Sequence, residues 1–246
     1  MTMLQHFKMK TFSKDFPLIH QIAFHDATHV YSPNKNIKQL FNYFGGTNYK
    51  IWFLEETRSF LQREYSANVL KAFDKITPFA YKADLARYCI VNHFGGTYLD
   101  LSMNSIKTPQ LGEEDMLIFR DLNSNRTSWK VSNGIFYSRP NQRILLEAIT
   151  QCVDNILSDY YGLDPHFPTG PGVFGRAVAK YGPESNIIIG QCFWFKYRRN
   201  KYVVNNDFVV ARGKIGGKYL GGKSELSGGN NYNTLWKSQG IYGENQ

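Results

Sequence analysis

One stretch limits the choice of fold more than any other: Lys82 to Asn104, KADLARYCIVNHFGGTYLDLSMN. Phe79, Ala83, Ala86, Ile90 and Phe94 recur at three- and four-residue spacing, which predicts a helix with one apolar face. Pro78 suits its first turn, where a missing N–H leaves nothing unpaired. Gly95 can take the positive φ that ends a helix. Thr97 to Leu101 then reads as a strand. Asp84 and Arg87 are three apart and share a helix face. Asp100 falls where the strand ends, which is where open α/β sheets bind ligands.

The rest of the chain alternates around this unit. Pro17 to His25 predicts a first strand, in which His20 is a residue with a satisfied ring rather than a catalyst. Ser32-Pro33 is a helix start, with Ile37, Leu40, Phe41 and Phe44 inward and Gly45-Gly46 as its stop. Tyr49 to Leu54 reads as a second strand, and Glu55 to Ile76 as one or two helices. The order β, α, β, α, α, β implies an α/β fold whose central sheet is mostly parallel and flanked by helices. Further strands are expected at Met116–Phe119, around Gly134–Tyr137, at Ile187–Ile189 and at Phe193–Tyr197. Helices are expected after Pro140 and after Thr169-Gly170-Pro171-Gly172. By itself Asn133-Gly134 reads as an ordinary turn. With 246 residues, one domain over 1–246 is expected, with a loose segment at 1–15 and a mobile Gly/Lys-rich loop at 212–236.

The central stretch resembles the donor-binding segment of the DXD sugar-transferase superfamily, glycosyltransferase family thirty-two and its neighbours. These include capsular polysaccharide and lipopolysaccharide transferases and the catalytic domains of large glucosylating toxins. Lys82-Ala83-Asp84, Arg87, Gly95-Gly96 and Tyr98-Leu99-Asp100 match in type and spacing; the second Asp of DXD is Ser102. The resemblance implies a Rossmann-like GT-A fold and sugar transfer from a nucleotide diphosphate with retention. It puts Asp84, Arg87 and Asp100 in the catalytic centre. Donor contacts are implied at Ile22, Ala23, Lys82, Gly96, Tyr98, Leu99, Asn133 and Trp236. Ala23 stands where the toxins have a base-stacking Trp. The metal positions fall on Asp100, Ser102, Asn231 and Thr234, of which only Asp100 is charged. A weakened Mn²⁺ or Mg²⁺ requirement is therefore expected, with a UDP- or GDP-sugar as donor.

A net charge of +9 favours anionic partners. These are a nucleotide sugar, a glycan or lipid-linked glycan acceptor, and peripheral contact with a membrane. No Lys/Arg-rich run or nucleic-acid motif is present, so no specific nucleic acid is expected. Cys89, Cys152 and Cys192 read as reduced core thiols. The N-terminus lacks an apolar signal region, and the expectation is a cytoplasmic enzyme of capsule or lipopolysaccharide assembly at the inner membrane face. The competing reading is a non-catalytic sugar-nucleotide-binding or lectin-like module, which Ser102 and Ala23 favour.

Overall fold

The computed structural model describes residues 19–24, 49–105, 112–121, 129–195, 199–204, 208–213 and 230–243. The segment 1–15, the helix starting at Ser32 and most of the Gly/Lys-rich stretch lie outside them. In chain order come β1 (Ile19–Ile22), β2 (Tyr49–Trp52), α1 (Leu54–Glu64), α2 (Ala67–Lys75), α3 (Phe79–Phe94) and β3 (Gly96–Leu99). Then follow β4 (Met103–Ser105), β5 (Met116–Asp121), β6 (Val131–Ser138), α4 (Arg143–Leu157) and α5 (Pro171–Tyr181). The last are β7 (Ile187–Phe195), β8 (Arg199–Val204), β9 (Phe208–Gly213) and α6 (Tyr232–Lys237).

The strands form one nine-stranded sheet in the order β2-β1-β3-β6-β5-β7-β8-β9-β4. β1 pairs in parallel with β2 and β3, as β5 does with β7, and the other ladders are antiparallel. Six strands (β1, β2, β3, β5, β7, β9) therefore point one way and β4, β6 and β8 point back. The sheet is mostly parallel in direction and mixed in pairing. β6 is the reason: it enters between β3 and β5 from the opposite side and closes the gap between two parallel halves.

Alternation along each strand sorts side chains onto two faces. Ile22, Trp52, Tyr98, Met116, Ile118 and Phe136 pack under α1 to α5 in one core cluster. Ile19, Tyr49, Leu99, Leu117, Phe119, Ile135 and Tyr137 form a second cluster on the other face. The run Glu55–Ile76 divides into α1 and α2 at Tyr65 and Ser66, both extended. Ile187–Ile189 and Phe193–Tyr197, read separately, belong to the single strand β7.

α3 is the central helix. Ten of its 16 residues are buried, Asp84, Arg87 and Asn92 among them. It ends at Gly95, whose φ is +68° and whose missing side chain leaves room for Pro140; a Cβ there would lie 2.9 Å from the proline ring. This stop turns the chain into β3 and delivers Asp100 beside the helix it has just left.

Candidate active site

The site forms where α3, the end of β3 and the middle of β6 meet. Arg87 is its centre. Its Nη2 lies 3.1 Å from Asp84 Oδ1, and its Nη1 donates to Asp100 Oδ1 at 3.1 Å and to the Asn133 carbonyl at 2.8 Å. Its Nε donates one turn back to the Ala83 carbonyl at 3.0 Å. The guanidinium also lies over the Tyr98 ring, 4.4 Å from its centroid. A planar fork with five donors can serve all of these at once; a lysine could not.

Both carboxylates are held from several sides. Asp84 Oδ1 accepts from Asn133 Nδ2 at 2.8 Å and its Oδ2 from Thr169 Oγ1 at 2.9 Å. Asp100 Oδ1 accepts from the Tyr98 hydroxyl at 2.9 Å, and its backbone N–H bonds to the Gly134 carbonyl at 2.8 Å. Among the described residues Asp100 Oδ2 has no hydrogen-bond partner. Burial pushes the Asp84 carboxyl above the usual carboxylate range, against the pull of Arg87. For Arg87 burial works against the charge, but Tyr98, Asp100 and Asp84 outweigh it and keep the cation firmly protonated. Removing one member of such a buried set costs about 3–5 kcal/mol, because the partner's charge is left unpaired.

Asn133-Gly134 is the middle of β6, not a turn. Gly134 is there for space: a Cβ would lie 2.6 Å from Asp100 Oδ2 and 2.7 Å from Met103 Cε. The carboxylate of Asp100 thus lies directly against the bare backbone of β6.

These groups line a cleft of about 350 Å³. Asp84, Arg87, Asp100, Ser102 and Asn133 are in its wall, together with His166, Asp121 and Tyr232. Other expected donor contacts sit elsewhere. Lys82 is two residues from Asp84 and so faces nearly the opposite way around the helix. Its ammonium donates to the Phe73 and Asp74 carbonyls at the end of α2, and burial lowers its pKa to about 8. Ile22 and Leu99 are core residues on opposite faces of the sheet. Ala23 is buried and donates its N–H to the Trp52 carbonyl, continuing the ladder. Gly96 opens β3 with φ of +103°. Trp236 packs against the helix-side core and donates Nε1–H to the Tyr161 carbonyl at 2.8 Å. None of these six lines the cleft.

The positions matched to a metal do not make a protein-held site. Asn231 Oδ1 accepts from the backbone N–H of Asn233 and Thr234 at the start of α6. A carbonyl oxygen has two lone pairs, and both are used. Thr234 is exposed and outside the cleft wall. Asp100 and Ser102 remain, one charge and one hydroxyl. No group of three His, Cys, Asp or Glu placed to hold an ion occurs among the described residues.

Sequence reasoning did not single out Lys130, Asp164, His166, Asp121, Tyr232 or the role of Thr169. Thr169 lies in the Thr-Gly-Pro turn already noted. Lys130, Asp164, His166 and Asp121 come from loops and strand ends that carry no periodic signal, and Tyr232 opens the short helix α6. Cys89, Cys152 and Cys192 are buried, and none is in a disulfide. No helix among the described residues is long and apolar enough to cross a membrane.

Comparison with known proteins meets this geometry at its centre. The family described as a glycosyltransferase sugar-binding region containing a DXD motif matches residues 31–124. That match makes residues 31–124 similar to a glycosyltransferase sugar-binding region. The matched segment includes α3, β3, Asp84, Arg87 and Asp100. An uncharacterised glycosyltransferase of Acanthamoeba polyphaga mimivirus is 33% identical over 106 residues, which are 40% of this chain and 39% of that protein. The chain thus spans well under half the length of this curated relative. Among solved structures, the PaToxG glycosyltransferase superposes with a TM-score of 0.50 at 16% identity, covering 68% of this chain and 70% of its own. At that identity it supports the fold. A glycosyltransferase involved in glycosylation of the PBCV-1 major capsid reaches a TM-score of 0.30 at 12% identity, over 70% of this chain and 81% of its own.

Proposed function

We propose that this chain is a glycosyltransferase that moves a hexose from a UDP- or GDP-sugar to a glycan acceptor. The observation that carries the reading is Arg87, which ties Asp84 and Asp100 together at the wall of one cleft. Sugar hydroxyls need fixed acceptors and donors, and a carboxylate–guanidinium–carboxylate set supplies both. Asp84 binds and orients the sugar; Asp100, with an open Oδ2, takes a ribose or sugar hydroxyl. The leaving diphosphate gains charge, which the protein's net charge of +9 favours. Retention, a lipid-linked acceptor, and a place in capsule or lipopolysaccharide assembly at the cytoplasmic membrane face complete the proposal; they are supported by the family resemblance and the net positive charge.

The test is a thermal-shift and hydrolysis panel of UDP-, GDP- and CMP-sugars. One donor is expected to raise the Tm and to turn over. Asp100→Asn is expected to cut turnover about 100-fold or more, the usual scale for an electrostatic contact at a reacting centre. It is the cleanest probe, because the Asp100 side chain is 34% exposed whereas Asp84 and Arg87 are buried. A panel with no binding overturns the reading. Binding without turnover points instead to a sugar-nucleotide-binding module.

A further inference from the structure

A second charged cluster lies beside the donor groups. Lys130, just before β6, is buried, and its Nζ donates to Asp164 Oδ2 at 2.9 Å. Asp164 Oδ1 accepts from the His166 backbone N–H at 2.9 Å and lies 3.1 Å from His166 Nδ1. Burial alone would raise the Asp164 carboxyl, but Lys130 and the His166 N–H hold it below the usual range, so it is an acceptor only. Nδ1 therefore carries the hydrogen. Lys130 Nζ is 3.4 Å from Nδ1, beyond the usual N–H donor distance, whereas Asp164 Oδ1 at 3.1 Å is within it. Nε2 is left with a lone pair and has no partner among the described residues. The ring is 44% exposed and lines the same cleft as Asp84 and Asp100.

The loop that carries His166 is fixed. Its carbonyl accepts from the Gly172 N–H at 3.2 Å, and Tyr81 of α3 donates to the Pro165 carbonyl at 2.6 Å. His166 O and Asp84 Oδ2 each lie 3.2 Å from the point a Cβ on Gly170 would occupy. The titratable groups around the ring are Asp164 and Lys130 behind it, Tyr232 of α6 at 6.3 Å between centroids, and Asp84 across Gly170. A buried ion pair adds little to stability by itself. Here it fixes the tautomer and direction of one imidazole that opens onto a sugar site.

We propose that His166 is a catalytic residue whose Nε2 takes the proton of the attacking hydroxyl, with Asp164 and Lys130 as positioning residues. This rests on the transfer reading above. The acceptor oxygen forms a bond to the anomeric carbon as the bond from that carbon to the phosphate oxygen breaks. The nucleoside diphosphate leaves with the electron pair, and the hydroxyl proton goes to Nε2. The base acts on the acceptor oxygen, so the assignment holds for attack from either face of the sugar.

Water serves as the acceptor in the test, which measures hydrolysis of the donor that stabilises the protein most. His166→Gln and His166→Asn are expected to lower kcat about 100-fold, within the range for general-base loss, with donor Kd unchanged. His166→Asn can still donate to Asp164 and guards against a folding artefact. In the free wild-type protein, ¹⁵N NMR is expected to show the Nδ1–H tautomer, and Asp164→Asn to erase that preference. Wild-type-like kcat in both His166 variants, or an Nε2–H tautomer, overturns this role alone. A wild-type protein that binds no donor, or binds one without turning it over, overturns the transfer reading and this role with it.

Discussion

His20 has no exposed surface, and both of its ring nitrogens are committed. Nε2 lies 3.0 Å from the Gly95 carbonyl and Nδ1 accepts from Trp52 Nε1 at 3.1 Å. A proton on Nδ1 would face a donor, so only the neutral ring fits. Burial is the main cause that lowers its pKa from 6.5 to about 4. The unfolded chain takes up a proton below pH 6.5 that the native ring refuses. The stability from this group is full above 6.5 and is lost as pH falls from there through about 4. By linkage it is worth on the order of 3 kcal/mol. An NMR titration should find the His20 ring neutral at pH 5; a midpoint near 6.5 would sink the argument. The expected strand residue with a satisfied ring was legible from its place in IHQI. Its partners, 32 and 75 positions away, were not.

At the scale of elements, α5 lies against the chain entering β6 without a side chain between them. A Cβ on Gly175 would fall 1.8 Å from the Trp129 carbonyl oxygen. Glycine to alanine inside a helix ordinarily stabilises by up to about 1 kcal/mol. Here the sign should reverse. Gly175→Ala is expected to cost at least about 2 kcal/mol through overpacking. For a chain of this size that is a Tm lower by roughly 4–8 °C in a calorimetric scan. An unchanged or raised Tm would show that α5 can move away. The same crowding explains why Asn133-Gly134, inside a strand that was itself expected, reads by itself as a turn. The VSNGIFYS of β6 is buried throughout, so no polar face alternates around its internal glycine. The helix–stop–strand unit was easy, because its signals lie within a few residues of one another.

For the whole molecule, the decisive question is how distant segments share one task. The metal positions implied by the family resemblance lie on both the β3–β4 turn and the start of α6. Asn231 has spent its carbonyl oxygen on the first turn of α6, so the protein offers a dication little without the donor's own diphosphate. Titration calorimetry should therefore show weak Mn²⁺ binding to the free protein, and excess EDTA should reduce transfer only in part. Complete loss with EDTA, restored by micromolar Mn²⁺, would mean that another ligand set exists.

The sequence by itself determined the unit on which the candidate site is built: the helix α3, though not its one apolar face, since Phe94 is exposed and Asp84, Arg87 and Asn92 are buried, then the glycine stop, and Asp84, Arg87 and Asp100 in register. Those are short-range facts, fixed by helix pitch and by the backbone freedom of glycine. Only the tertiary structure decided which side chains face the cleft. It turned Lys82 away, used up Asn231, pressed Gly134 against Asp100, and brought Lys130, Asp164 and His166 together from two separate segments. Contacts of that kind depend on how β6 and the loop before α5 pack onto α3, and long-range packing leaves no period in the chain to read.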